Sequence, residues 1–342
     1  LKPGLTPRGR LVIAATTIAL ALTACAAPPA AHPAAPVALP KAPTGSDASA
    51  SALAATLTAK LGANASLGGR QLFPSDNPWN TPVDAAPVDP NSDALIASIA
   101  GNLHADFGAK WNGGPFGIPY VVVKGSQKKV KVTFRYADES DKGKYPIPKT
   151  APVEKGSDRH VLVLDRDHWK LYELFGAKRK KGSTSWKAGS GAIFDLTSNT
   201  LRPEGWTSAD AAGLPILPGL VRYDEVTAGA ITHALRFTVA ETRRAYVHPA
   251  THWASDDTSA NLPPMGMRVR LKAGFDISGF PQQARVVLQA MKTYGMIVAD
   301  NGSNWFVSGA PDKRWHDTEL NTLKDVPGSA FEVVAMDEVI TG

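Results

Sequence analysis

Beyond residue 72 the apolar positions fall into short β-branched and aromatic runs, separated at close intervals by turn residues. Tyr120–Val123, Val130–Tyr136, His160–Leu164, Leu171–Phe175, Ala192–Leu196, Ile231–Val239, Arg243–Val247, Met267–Leu271, Met296–Val298, Trp305–Val307 and Phe331–Ala335 read as strands. Many short strands at such spacing predict a mainly β chain, folded as a jelly-roll-like β-sandwich. His160–Leu164 and Lys170–Phe175, joined through Asp165-Arg166-Asp167-His168, predict a hairpin. Two segments switch to a helical period. In Phe280–Tyr294 the residues Ala284, Val287, Leu288 and Met291 share one face, and in Asn91–Leu103 the stripe is Leu95, Ile96, Ile99 and Leu103. They predict one or two peripheral helices. No repeat period is visible, which argues against a propeller or solenoid.

The pattern lapses toward the N-terminus. All 8 Trp, 7 Tyr and 11 Phe lie at or beyond Phe73, so the preceding stretch has little to build a core with. The expected globular part is a single domain over 71–342. For the whole chain of 342 residues, 43% hydrophobic and 20% charged residues exclude wholesale disorder and a coiled-coil rod. The net charge of +6 dissolves when located. Lys2, Arg8 and Arg10 stand unopposed near the start, Lys41, Lys60 and Arg70 face only Asp47, and the aromatic-containing part is close to neutral. Without a basic face, nucleic acid is not an expected partner.

The first 24 residues have the layout of a signal peptide: basic residues to Arg10, an apolar run from Leu11 to Leu22, then Thr23-Ala24-Cys25. The run is too short to span a bilayer. Small residues before a cysteine resemble the lipobox of bacterial lipoproteins, and Cys25 is the only cysteine of the chain. The resemblance implies cleavage before Cys25, a lipid on its thiol, and a membrane association through that anchor alone. Ala26 in place of Asp follows the pattern for delivery to the outer membrane if the cell is Gram-negative. Residues 26–60 hold 14 Ala and 6 Pro, so 25–70 is expected to be a lipidated, disordered tether. The expected location is the cell envelope or the extracellular space, where ATP and NAD are not routine substrates.

Phe73-Pro74-Ser75-Asp76-Asn77-Pro78-Trp79-Asn80, Tyr136–Asp141 and Tyr294–Trp305 resemble blocks of a group of secreted bacterial proteins. That likeness runs from about Leu72 to Phe331 and carries no known activity with it.

Familiar catalytic signatures are absent: no G-x-S-x-G, H-E-x-x-H, P-loop or C-x-x-C occurs. Gly189-Ser190-Gly191 and Ser126–Lys129 lack the partner motifs that serine chemistry requires. What remains is carboxylates, histidines and tryptophans. Asp138-Glu139-Ser140-Asp141 follows directly on a predicted strand; if the strand continues, Glu139 and Asp141 share a face about 7 Å apart. That spacing suits glycosidase carboxylates, whereas Lys142-Gly143-Lys144 beyond it suits a solvated turn. Asp300 ends another strand and leads into Asn301-Gly302-Ser303-Asn304-Trp305, a set that could face a sugar or close an Asx turn. His248 and His252 stand at i and i+4, with His233 or Asp256 as the nearest third ligand for a metal. A histidine acting as base beside a carboxylate is the equal alternative. Trp111, Trp186, Trp206 and Trp305 sit among loop residues, where an indole can stack on a sugar ring or simply serve the core.

These readings converge on a surface-tethered carbohydrate-active enzyme, a glycoside hydrolase or polysaccharide lyase, acting on a polysaccharide or other extracellular glycan. The expected catalytic groups are Asp138, Glu139, Asp141, Asp300, His233 and His248, with Trp305, Asn301, Trp253 and His252 on the substrate. No cofactor or metal is called for, although a divalent cation would suit a lyase. The alternative is a non-catalytic binding module for a glycan or partner protein.

Overall fold

The structure, a computed structural model, describes residues 59–342. The signal segment 1–24, Cys25 and the tether up to residue 58 lie outside the described residues. The chain is mainly β, arranged in stacked sheets. A five-stranded sheet runs in the order Gly62–Ala63, Tyr120–Val123, Val161–Asp165, Lys170–Leu174 and Gly191–Asp195. A four-stranded sheet runs Lys178–Arg179, Trp186–Ala188, Val130–Phe134 and Lys144–Tyr145. A six-stranded sheet runs Phe331–Val333, Arg268–Leu271, Met296–Asn301, Leu235–Val239, Phe306–Ser308 and His104–Asp106.

Alternation along the five-stranded sheet explains the layering, because successive side chains point to opposite faces. Val121, Val123, Val161, Val163, Tyr172 and Leu174 share one apolar cluster with Val132, Tyr145, Trp186 and Ala188 of the four-stranded sheet. Tyr120, Val122, Leu162, Leu164 and Leu171 belong instead to the large core that includes Leu235, Phe237, Met296 and Val298 of the six-stranded sheet. Both faces are therefore buried, which is why these strands read as continuous apolar runs. Between the five- and six-stranded sheets threads the segment 208–222. Ile216 N–H donates to Glu173 of one sheet, and Ala212 N–H donates to Ala299 of the other.

Four strand pairs are parallel, which a wholly antiparallel jelly roll lacks. Parallel neighbours need long crossovers, and the loop-rich stretches between strands supply them. The hairpin forms over Val161–Asp165 and Lys170–Leu174, with Asp165 paired to Lys170. The helix Gln282–Thr293 buries the expected Ala284, Val287, Leu288 and Met291. The other expected helix is shorter, Ser92–Ser98, because Gly101 takes a left-handed φ of 107° and Leu103 N–H goes to Val326 instead. Tyr223–Ala228 and Asp317–Asn321 are further short helices. Among the described residues no helix is long and apolar enough to cross a membrane.

Residues 59–70, expected to belong to the tether, are folded. Gly62–Ala63 pairs with Tyr120–Val123, Ala59 and Leu67 are buried, and Tyr120 Oη–H donates to Ala65 O. Too few apolar residues mark the segment for a hydrophobic pattern to reveal it.

Candidate functional site

The expected site residues are dispersed. The strand Val130–Phe134 ends before them, and Ala137–Glu139 is a 3-10 turn, so strand alternation does not organise Asp138, Glu139 and Asp141. Asp138 is exposed, and Glu139 accepts from Thr207 N–H. Asp141 is held by Arg202 at 2.5 Å and by Ile193 N–H at 2.8 Å, an ion pair that ties the turn to the sheet. His233 is buried, donates from Nδ1 to Ala234 O, and lies 3.2 Å from Glu225. His248 faces Glu204, and His252 donates from Nδ1 to Ala211 O. No helix forms over 248–252 that would align the two rings. Trp253 stacks on Tyr246 at 5.7 Å, and Asn301 donates to Thr242.

Trp305 is not a sugar platform. Its ring is fully buried between Phe237 and Phe331, with centroids at 5.4 and 4.9 Å, and its Nε1–H donates to Ile99 O. None of the expected catalytic carboxylates and histidines is hydrogen-bonded to another. Among the described residues no three His, Cys, Asp or Glu form a cluster that could hold a metal.

A different constellation does converge, at the edge of the six-stranded sheet. A cavity of about 730 Å³ is lined by Asp106 and Glu154, with His104, Phe306, Trp111 and Phe116 as its aromatic walls. Asp106 ends the edge strand His104–Asp106, and Glu154 comes from the loop leading into Val161–Asp165. His104 and Phe306 stack face to face at 4.7 Å. Trp111 stands 63% exposed on a hairpin of Gly108–Trp111 and Gly114–Phe116. Its two-residue turn, Asn112-Gly113, has φ of 45° and 85°, as an Asn-Gly hairpin turn requires. Asp317 steadies the hairpin by accepting from the N–H groups of Ala109 at 2.7 Å and Lys110 at 2.9 Å.

The two carboxyls are pushed in opposite directions. Burial pushes Asp106 up to about 6, Glu154's charge adds to the rise, and Arg236 opposes it. Asp106 is nonetheless exposed on its cavity side, so the desolvation comes only from the packed protein behind it. It makes no side-chain hydrogen bond among the described residues, so its carboxyl is free to meet a ligand. Burial would raise Glu154 as well, but the hydrogen bond and charge of His160 outweigh it and hold this carboxyl below its ordinary value. His160 Nδ1 lies 2.5 Å from Glu154 Oε2, and its Nε2–H donates to Ala209 O at 3.0 Å. A carbonyl oxygen only accepts, so the Nε2 proton is fixed. Burial would lower His160, yet Glu154's hydrogen bond and charge outweigh this and raise it, which favours the proton on the imidazole. Glu154 Oε1 accepts no hydrogen bond among the described residues.

Behind the cavity a polar row crosses the sheet. Register pairs Asp106 with Ser308, and Arg236 Nη1–H donates to Ser308 Oγ at 2.6 Å. Arg236 also donates from Nε and Nη2 to Asp210 Oδ2 at 3.0 and 2.8 Å, with both side chains buried. A register shift between Phe237 and Thr238 pairs Thr238 with Asp300, skipping Ala299. Such a bulge re-aims a side chain, and here it turns Asp300 to the Arg236 face. Burial and then Asp210's charge push Asp300 up to about 7, against Arg236.

Asp300 was recognisable as a carboxylate at a strand end and Trp111 as a loop tryptophan. Asp106 and Glu154 were missed, although Asn112-Gly113 was a hairpin signal that pointed to this rim. Compared with known proteins, the chain matches no family model, no curated protein and no solved structure.

Proposed function

We propose that the protein is a carbohydrate-active enzyme of the glycoside hydrolase kind, with Asp106 as acid and Glu154 as base or nucleophile. One observation carries the reading: two carboxyls with opposite pKa shifts share one cavity with an exposed tryptophan. Environments that push paired carboxyls apart divide the acid from the base. Asp106 would donate its proton to the glycosidic oxygen as the bond to the anomeric carbon breaks. Glu154 Oε1 would attack that carbon or take a proton from the water that does. His160, bonded to Oε2, orients the carboxylate and keeps it ionised. Trp111 and Phe116 offer apolar faces for the C–H surfaces of sugar rings, while the polar groups meet hydroxyls.

The test is incubation of the protein with a panel of polysaccharides, read as new reducing ends or unsaturated products. New reducing ends without unsaturation support hydrolysis, and unsaturated products would move the assignment to a lyase. Binding without any turnover would leave a non-catalytic glycan module. In that case Trp111→Ala should still weaken binding by about 1–3 kcal/mol, as loss of an aromatic anchor does.

The lipid anchor belongs to the same proposal, since a tethered enzyme would work on glycans around its own cell. Cys25→Ser is expected to abolish labelling by a fatty-acid analogue and to release the protein from membranes. Unchanged retention of the variant would remove the anchor from the reading.

A further inference from the structure

We infer that the glycan is an acidic polymer, with a carboxylate or other anionic group recurring along it, and that it continues past the reaction cavity into a second one. This inference rests on the glycosidase reading and names its substrate class. The second cavity, about 640 Å³, shares Phe116, Gly117 and Lys155 with the first, so the two adjoin along one wall. Gly117 at that junction packs tightly against Gly309: its φ is 125°, and a Cβ there would meet Gly309 O at 2.3 Å. Beyond it the lining turns to Pro115, Pro119, Pro152 and Pro311, a rigid apolar trough. A site for a single sugar needs no such extension; a chain does.

Charge identifies the chain. Most of the acids on these walls are already engaged: Glu154 faces His160, Asp312 is bound by Arg314 at 2.5 Å, and Asp317 accepts two backbone N–H groups, which leaves Asp106, the proposed proton donor, without a partner. The cations are not. Lys110 and Lys324 line the first cavity, Lys313 the second, and Lys155 both. Among the described residues none of the four ammonium groups has a carboxylate within ion-pair distance or any side-chain hydrogen bond. Four cations without an ion-pair partner along two joined cavities fit a ligand whose negative charges repeat. The aromatic faces of Trp111 and Phe116 on the same wall specify rings between those charges.

The experiment offers the full protein several polyuronates, each beside its methyl-esterified form, together with sulfated and neutral glycans and single-stranded DNA. Turnover is read as reducing ends, and binding by titration at several salt concentrations. The expected result is at least tenfold preference for a free polyuronate over its own ester, with affinity that falls as salt rises. Preference for the sulfated polymer instead would keep the acidic class and change the anion. Lys155→Gln and Lys313→Gln should each shrink the acid-over-ester preference about threefold to fivefold, the range of one exposed charge pair. Lys155→Arg should restore it. Equal or better turnover of neutral or esterified glycans overturns the inference while leaving the hydrolase reading intact. If no glycan is turned over, the hydrolase reading fails and the inference with it. Preferential binding of DNA with no glycan bound overturns both.

Discussion

Asp106→Asn is expected to lower turnover of the cleaved glycan by about 10²–10⁴-fold, the usual worth of a positioned proton donor. The amide keeps the shape of the side chain but has no proton to give. Because Asp106 makes no side-chain hydrogen bond and its raised pKa means that its charge costs the fold stability, the exchange should not destabilise the protein, so loss of activity will not be loss of fold. Two accompanying results are specific to an acid. The parent's kcat/KM should decline as pH rises through about 6, where Asp106 loses its proton, and this alkaline limb should vanish in Asp106→Asn. The acid limb, set by protonation of Glu154 below its ordinary range, should persist. An aryl glycoside, whose leaving group needs little protonation, should recover much of the lost rate. An alkaline limb that survives in the variant would remove Asp106 from its role.

Arg236→Met should be the most destabilising single exchange in the polar row, by about 3–5 kcal/mol, because it leaves the Asp210 carboxylate buried and alone. Arg236 is also the nearby cation that tempers Asp106 and Asp300. Its removal should therefore push both carboxyls further up, and the alkaline limb of activity should move to higher pH with them. Denaturant titration checks the first effect. The double variant Arg236→Met, Asp210→Leu should regain most of the stability, since two apolar groups bury no charge. A single variant that costs less than about 1 kcal/mol would mean that Asp210 is not the charged partner the geometry indicates.

Much of the layering was legible in the sequence because burial on two faces writes a continuous apolar run. Val161–Asp165 and Tyr120–Val123 carry that mark, and the helix Gln282–Thr293 carries the period of a one-sided contact. The site was less legible, for reasons that are physical. His104–Asp106 is a strand of three residues, too short to show a period. Glu154 sits in an irregular loop, and its meaning comes from His160, six residues on, and from Asp106 on another sheet. Asp141 looked like half of a reactive pair because its partner, Arg202, stands 61 positions away. Trp305 looked exposed because its neighbours are Asn304 and Ser303, although packing against Phe237 and Phe331 decides its place. Asp300 was singled out by its position, but the skipped residue that turns it inward leaves no compositional trace.

The short strand Gly62–Ala63 has a mechanical consequence. Load arriving along the chain from its N-terminal side meets the domain at buried Ala59, whose O accepts from Arg166, and then at this two-residue edge pairing. Asn64 follows at once, bonding by its side chain to Tyr120 N–H and to Pro311 O. Ala63, Asn64 and Pro311 are also walls of the second cavity. Tension is expected to peel this edge strand before the broader sheets, and with it to deform the end of the second cavity that Ala63 and Asn64 line. That edge pairing and one end of the second cavity share the same few residues, so tension on the chain and the shape of that cavity are linked there.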